Sequence, residues 1–296
     1  MSTQILQQLL NGLVLGSTYA LFALGFTLMF GVLGVINLTY GFYFTTGAFL
    51  ALYASKLLAL PIWLALPCAA VGTGLVAIVL DGLLLTPLRR NKAPELASLM
   101  VTLGATLLLY SLMTATFGTE IRRLPPAVIS HAAILLGDVR INLSQILIVV
   151  TTVLIVAVLL AVVRFTRFGL SMRSLAENGE AAELMGVNTD AVVRLVSFIS
   201  GALGGTAGVL IGLNFNAIQP YMGEGMMLKG FAVIILGGLG DIKGALIAGI
   251  VIGVLEVLTA GFISSDVKDA VGFILLVATL WFRPAGLFGR TPVKRA

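Results

Sequence analysis

The residues Arg173-Ser174-Leu175-Ala176-Glu177-Asn178-Gly179-Glu180-Ala181-Ala182-Glu183-Leu184-Met185-Gly186-Val187-Asn188 form a polar island between two long apolar runs. Ser174 followed by Glu177 matches a capping box, in which hydroxyl and carboxylate satisfy the free backbone amides that open a helix. Gly186 suits the left-handed position just past a helix end, so the spacing predicts a short helix over Leu175 to Met185. The segment reads either as a helix that a partner recognises or as a solvated amphipathic loop. Ala181 and Ala182 let a rigid helix seat closely in a groove, and Glu177, Glu180 and Glu183 can meet basic groups on a partner. Arg164, Arg167 and Arg173 upstream and Arg194 downstream place this helix on the cytoplasmic face by the positive-inside rule.

Other reactive residues are few and dispersed. Asp81 and Glu256 lie in apolar runs, where a carboxylate is costly and often functional. Asp81 reads either as such a group or as a side chain snorkelling to the headgroups. Glu256 reads either as a functional carboxylate or as a neutral one bonded to a neighbouring helix. Cys68 is the single cysteine, so no disulfide forms within the chain. His131, also single, excludes a multi-histidine zinc site and reads as a solvated loop residue. No Gly-x-x-x-x-Gly-Lys-Ser/Thr, His-Glu-x-x-His or Gly-x-Ser-x-Gly sequence occurs, nor a clustered carboxylate pair. Catalytic, cofactor and metal residues are therefore not assigned, and any energy must come from another subunit.

The island resembles a known family. Glu180-Ala181-Ala182 with Gly186 is similar to the EAA loop of ABC-importer permeases. Glu177-Asn178 with Gly186-Val187-Asn188-Thr189-Asp190 resembles the version in LivH-type permeases of branched-chain amino acid importers. Asn11-Gly12 with Gly16-Ser17-Thr18-Tyr19-Ala20-Leu21, and Leu236-Gly237-Gly238-Leu239-Gly240 with Gly244-Ala245, extend the likeness over nearly the whole chain. The Ile-x-Leu-Pro that follows the loop in other EAA permeases is missing, which favours the LivH-like branch. The resemblance implies a permease subunit in the plasma (inner) membrane, coupled through Ser174, Glu177, Asn178, Glu180, Ala181, Ala182 and Gly186 to separate ATP-binding subunits. It also implies a second permease, sister or identical, and an extracytoplasmic binding protein that delivers branched-chain amino acids or related amides. Candidate residues of the translocation path are Asn37, Tyr40, Asn214, Asn216 and Glu256.

The elements that must position these groups are membrane helices. With 59% hydrophobic and 10% charged residues and a mean hydropathy of +1.08, the chain lies far below the roughly 25% charged content of soluble domains. The net charge of +5 does not indicate nucleic acid. Its basic residues sit at the ends of apolar runs, where they orient spans against lipid. No basic residue precedes the first apolar run, so that run is expected to stay as a span and not as a cleaved signal peptide.

The expected fold is an all-α polytopic helix bundle of about eight to nine membrane segments, one permease domain over residues 1–296 with a cytoplasmic coupling loop at 164–190. Spans are expected at Ile5–Phe30, Phe42–Leu58, Trp63–Leu85, Leu96–Phe117, Leu143–Val163, Ala191–Leu213, Ala245–Phe262 and Val267–Phe282. Met226–Leu239, which includes Lys229, is short for a crossing and reads as re-entrant or as a short helix. The polar connection at 118–142, with Arg122, Arg123 and Arg140, should face outward, where those arginines are solvated or meet a binding protein. The C-terminus, with Arg283, Arg290, Lys294 and Arg295, should face the cytoplasm. The glycine-rich stretch from Gly31 to Gly41 reads as a break lining the path or a turn near the surface. Gly31-Val32-Leu33-Gly34-Val35-Ile36 echoes Gly237-Gly238-Leu239-Gly240-Asp241-Ile242, with Gly47 and Gly253 at equal distances beyond, which suggests two halves of like orientation. The alternative function, a self-contained secondary transporter or channel, would use Asp81, Glu224 and Glu256 for ion coupling.

Overall fold

The computed structural model describes residues 2–91, 93–125, 133–136 and 139–289; His131, Lys92, Asp138, Arg290, Lys294 and Arg295 lie outside them. The long apolar runs form helices because a backbone in lipid must satisfy its own polar groups. In chain order they are α1 (Ser2–Leu33), α2 (Tyr40–Leu57), α3 (Ile62–Leu80), α4 (Thr86–Arg90), α5 (Glu95–Phe117), α6 (Leu143–Phe165), α7 (Arg167–Glu177), α8 (Gly179–Leu184), α9 (Thr189–Phe215), α10 (Met222–Gly237), α11 (Ile242–Phe262) and α12 (Lys268–Phe282). A π-helical turn, Asp81–Leu85, joins α3 to α4, so this helix runs past the expected end at Leu85 as far as Arg90. Among the described residues, six helical stretches are long and apolar enough to cross a membrane: those containing α1, α3–α4, α5, α6, α9 and α11. The molecule is an all-α membrane bundle that also carries an antiparallel hairpin of β1 (Ala133–Leu136) and β2 (Val139–Asn142) in register Ala133↔Asn142.

Successive long helices alternate in direction. At one end, Gln7 of α1 meets Arg140 of β2, and Arg122 and Ile218 form an isolated bridge. At the other end, Arg90 of α4 pairs with Asp190 of α9 at 3.2 Å, and Gly31 lies against Gly240. There the backbone amides of Leu287 and Phe288 donate to the carbonyls of Leu236 and Gly237, which satisfies the carbonyls that the end of α10 leaves free. The first end holds the 118–142 connection and the second the 164–190 segment.

The core is α1, α2, α9, α10 and α11. Phe26 stacks on Tyr40 at 5.2 Å between ring centroids, and Phe22 and Phe44 meet edge-on at 5.5 Å. The backbones come close enough that side chains are excluded between them. A methyl on Gly16 of α1 would lie 2.8 Å from the Ile250 backbone, a separation that no packed Cβ tolerates, so α1 and α11 meet through small residues. By contrast α5 and α6 bury few residues, chiefly Tyr110 and Met113 on one and Ile148, Val156 and Leu159 on the other, and present broad apolar faces outward. α10 is a continuous helix of 16 residues and begins at Met222, so it is the short helix and not the re-entrant loop of the two expected forms.

Candidate functional site

The 164–190 segment forms two capped helices where the sequence suggested one. Thr166, with extended backbone, accepts a hydrogen bond from the Gly169 amide and opens α7. Asn178, also extended, accepts one from the Ala181 amide at 3.0 Å and opens α8. The Ser174–Glu177 capping box does not form. Ser174 lies inside α7 and its hydroxyl donates to the Leu170 carbonyl at 3.0 Å. The physical reason is competition: Asn caps at least as well as Ser, and Thr166 had already started the helix that contains Ser174. Gly186 takes the predicted place beyond the helix, with φ +85°. The Val187 amide donates to the Ala182 carbonyl and the Gly186 amide to that of Glu183, the pair of bonds of a Schellman ending.

α8 projects from the bundle with Glu180, Ala181 and Glu183 exposed and Ala182 buried against its own support. Glu177 and Asn178 are exposed at the junction. Two residues the sequence reading passed over are the most prominent: Leu184 is 89% and Met185 85% exposed. The two give the tip of α8 a small apolar surface. Thr189 donates to Glu183 Oε1 at 2.8 Å, which ties α8 to the start of α9.

At the opposite end of the bundle Glu256 of α11 is 1% exposed and paired. The Lys229 ammonium, from α10, donates to Glu256 Oε2 at 2.8 Å, to the Tyr19 hydroxyl at 2.9 Å and to Asp269 Oδ1 at 2.9 Å. Tyr19 in turn donates to the same Glu256 oxygen at 2.7 Å. Glu256 is thus tied to two neighbouring helices, through Lys229 of α10 and Tyr19 of α1, partners the sequence did not indicate. This cluster lines a cavity of 480 Å³ whose walls include Phe44, Phe215, Met222 and Met226. A second cavity of 520 Å³, lined by Gln7, Asn11, Arg140, Gln145 and Asn214, shares Leu15, Phe215 and Val257 with the first.

The remaining path candidates separate. Asn214 faces the second cavity. Asn216 ends α9 in a left-handed conformation (φ 48°, ψ 39°) and accepts from the Leu124 amide, a bond that holds the outer loop. Asn37 Oδ1 accepts from the Thr39 amide and hydroxyl at 3.0 and 2.6 Å, the geometry of an Asx-turn starting α2. Tyr40 is buried among aromatic rings, with its hydroxyl donating to the Phe22 carbonyl at 2.9 Å. Neither Asn37 nor Tyr40 lines the two cavities. Asp81 does not snorkel: it is buried in the π turn and pairs with Arg89 of α4 at 3.3 Å. Of the outer arginines, Arg122 donates to the Tyr53 hydroxyl and the Phe117 carbonyl and so serves structure, while Arg123 and Arg140 are exposed.

The chain matches, over residues 8–280, a family described as the permease component of branched-chain amino acid transport systems. It is 33% identical to the high-affinity branched-chain amino acid transport system permease protein LivH of Escherichia coli (strain K12), over 98% of this chain and 97% of that protein. It is 32% identical to the corresponding BraD protein of Pseudomonas aeruginosa, over 98% and 97%. It is 31% identical to a probable LivH permease of Methanocaldococcus jannaschii, over 96% and 92%.

Proposed function

The chain belongs to the branched-chain amino acid transport permease family, and from that premise we propose that it carries branched-chain amino acids, or related amino acids and amides, across the plasma (inner) membrane as one subunit of an ABC importer. ATP-binding subunits dock on α7 and α8, an extracytoplasmic binding protein delivers the solute at the opposite end, and a second permease subunit pairs beside this one. The observation that carries this reading is α8: separately capped, closed by Gly186, and tipped by the solvent-facing Leu184 and Met185. Such a lever serves force entering from another protein. The coupling residues are Ser174, Glu177, Asn178, Glu180, Ala181, Ala182 and Gly186, within residues 164–190; the exposed ones meet the ATPase while Ser174 and Ala182 hold the helices in shape.

Orientation follows from charge. Arg89, Arg90, Arg164, Arg167, Arg173, Arg194, Lys243 and Arg283 belong to the end that carries α8, against Lys56, Arg122, Arg123, Arg140 and Lys268 at the other. The positive-inside rule makes the α8 end and the C-terminus cytoplasmic. Counting α2, α10 and α12 beside the six longer stretches, we propose nine crossings. Two facts support an internal repeat of α1–α2 by α10–α11: Gly34 and Gly240, equivalent in the echo, both take positive φ (67° and 83°), and Gly47 and Gly253 both sit where a neighbouring glycine backbone touches them.

The solute path is assigned to the outer cavities, with Asn214 and Glu256 on it and Asn37, Tyr40 and Asn216 shaping the helices around it. The secondary-transporter alternative is not favoured. Its three carboxylates do not converge: Asp81 pairs with Arg89 near the cytoplasmic end, Glu224 is exposed, and Glu256 is tied to Lys229. Reconstitution with ATPase subunits and binding protein tests the proposal. Leucine-stimulated ATP hydrolysis is expected, and Glu180→Lys or Gly186→Val should lower uptake and hydrolysis together. Leucine uptake by the permease in vesicles without any ATPase would overturn it.

A further inference from the structure

We propose that the Lys229–Asp269 contact is a two-pole binding station for a zwitterionic aliphatic amino acid, whose carboxylate takes Lys229 and whose ammonium takes Asp269; this rests on the transport reading above. Lys229 has three N–H donors and three acceptors, and those acceptors are unequal. Glu256 and Tyr19 are buried, at 1% and 4% exposure, and are bonded to each other, so they form a fixed cradle. The Asp269 side chain is 57% exposed, in the first turn of α12 at the cavity mouth. An exposed ion pair contributes little, so Asp269 is the acceptor that a ligand displaces most cheaply.

Parting the two leaves Lys229 in need of an anionic oxygen and Asp269 in need of an N–H donor. An α-amino acid carries both, a few ångströms apart on one carbon. The charge balance favours it over half-ligands. Glu256 and Asp269 together already outnumber Lys229, so a bare carboxylate would add a third negative group around one ammonium, and a bare amine would leave Lys229 short of an acceptor. A zwitterion adds no net charge and leaves no pole unpaired. The nearby Lys268 sits beside Asp269 on the rim and cannot replace Lys229, because it lacks the buried cradle.

The walls suit the rest of such a molecule. Phe44, Ile211, Phe215, Met222 and Met226 surround the charged cluster, and methionine adapts to side chains of different branching. The volume of 480 Å³ falls within the roughly 300–1,000 Å³ of small-molecule sites. The adjoining cavity, with its amides Gln7, Asn11, Gln145 and Asn214 behind the shared Phe215 wall, supplies a polar approach from the outer end.

The test uses the assembled permease–ATPase complex in lipid nanodiscs with Cys68→Ser and Met222→Cys, and reads the rate of maleimide labelling at position 222, a half-buried cavity residue. Leucine at about ten times its dissociation constant is expected to slow labelling roughly tenfold, because the free fraction falls as 1/(1 + L/Kd), with L the leucine concentration. 4-Methylpentanoate, which lacks the ammonium, and 3-methylbutylamine, which lacks the carboxylate, should not slow it at the same concentration. Lys229→Met should abolish protection. Asp269→Asn, a change at an exposed position that leaves the cradle intact, should abolish it too. Equal protection by 4-methylpentanoate, or unchanged leucine protection in Asp269→Asn, overturns the station. Leucine-stimulated hydrolysis without protection by any of the three probes sinks the station alone, and protection without any amino acid-dependent hydrolysis sinks the transport reading alone.

Discussion

Lys229 and Glu256 hold each other in a place where neither would rest alone. Removing one partner of a buried ion pair strands the other and costs about 3–5 kcal/mol, whereas replacing both is far cheaper. Lys229→Met is therefore expected to lower the melting temperature of the purified complex markedly, and Lys229→Met/Glu256→Gln to recover most of the loss. A double variant less stable than the single one would show that the pair is not the unit. Tyr19→Phe removes one donor from Glu256 and one acceptor from Lys229, and should cost about 1–3 kcal/mol in the same melt. The sequence exposed Glu256 as an anomaly, because a carboxylate in an apolar run stands out. Its partners were not legible: Lys229 lies 27 residues away and Tyr19 237 residues away, on helices that meet only after folding. Asn37 is the converse case: a polar residue in a glycine-rich stretch suggested a path, and what the sequence did not display is that its oxygen also closes a turn.

At the scale of elements, the two coupling helices give a direct contrast between a cap that forms and one that does not. Asn178→Ala is expected to remove about 1 kcal/mol from α8, seen as faster amide exchange over residues 181–185 and as weaker ATPase stimulation. Ser174→Ala should stay within about 0.5 kcal/mol, because the hydroxyl bonds back to Leu170 inside α7. If the two variants exchanged these effects, the capping box would be restored and the break at Asn178 refuted. The Ser-x-x-Glu spacing was legible and misleading, since Thr166 and Asn178 can cap as well and the extended backbone they adopt, not residue type, decides which residues do. Gly186 was read correctly because few other residues tolerate its positive φ. The hairpin of β1 and β2 went unread, although Gly137-Asp138 between two apolar runs is a turn signal, because the polar connection was treated as a single loop.

For the whole molecule, sidedness is the open quantity that a labelling experiment can fix. A cysteine at Glu180 should react only with reagent supplied from the cytoplasmic side, and one at Glu120 only from outside, each in a Cys68→Ser background. Both reacting from one side would refute the alternation of helix directions. The general plan was legible in hydropathy and loop charge, since apolar runs and arginine clusters are properties of the chain itself. The division of labour among helices was not, because α2 and α5 are both apolar while only α2 is buried on nearly all sides. That difference arises from glycines such as Gly208 on α9, which admits the α2 backbone at Phe44, and Gly47 on α2, which admits the α9 backbone at Gly205. The junction of α1 with α11 reaches further. Around Gly16 and Gly253 the two backbones touch with little side chain between them to re-pack, so the two rods turn as one beam. Spin labels on the exposed Leu13 and Val251 should then keep a constant separation through the nucleotide cycle, an internal ruler against which the displacement of every other helix can be measured.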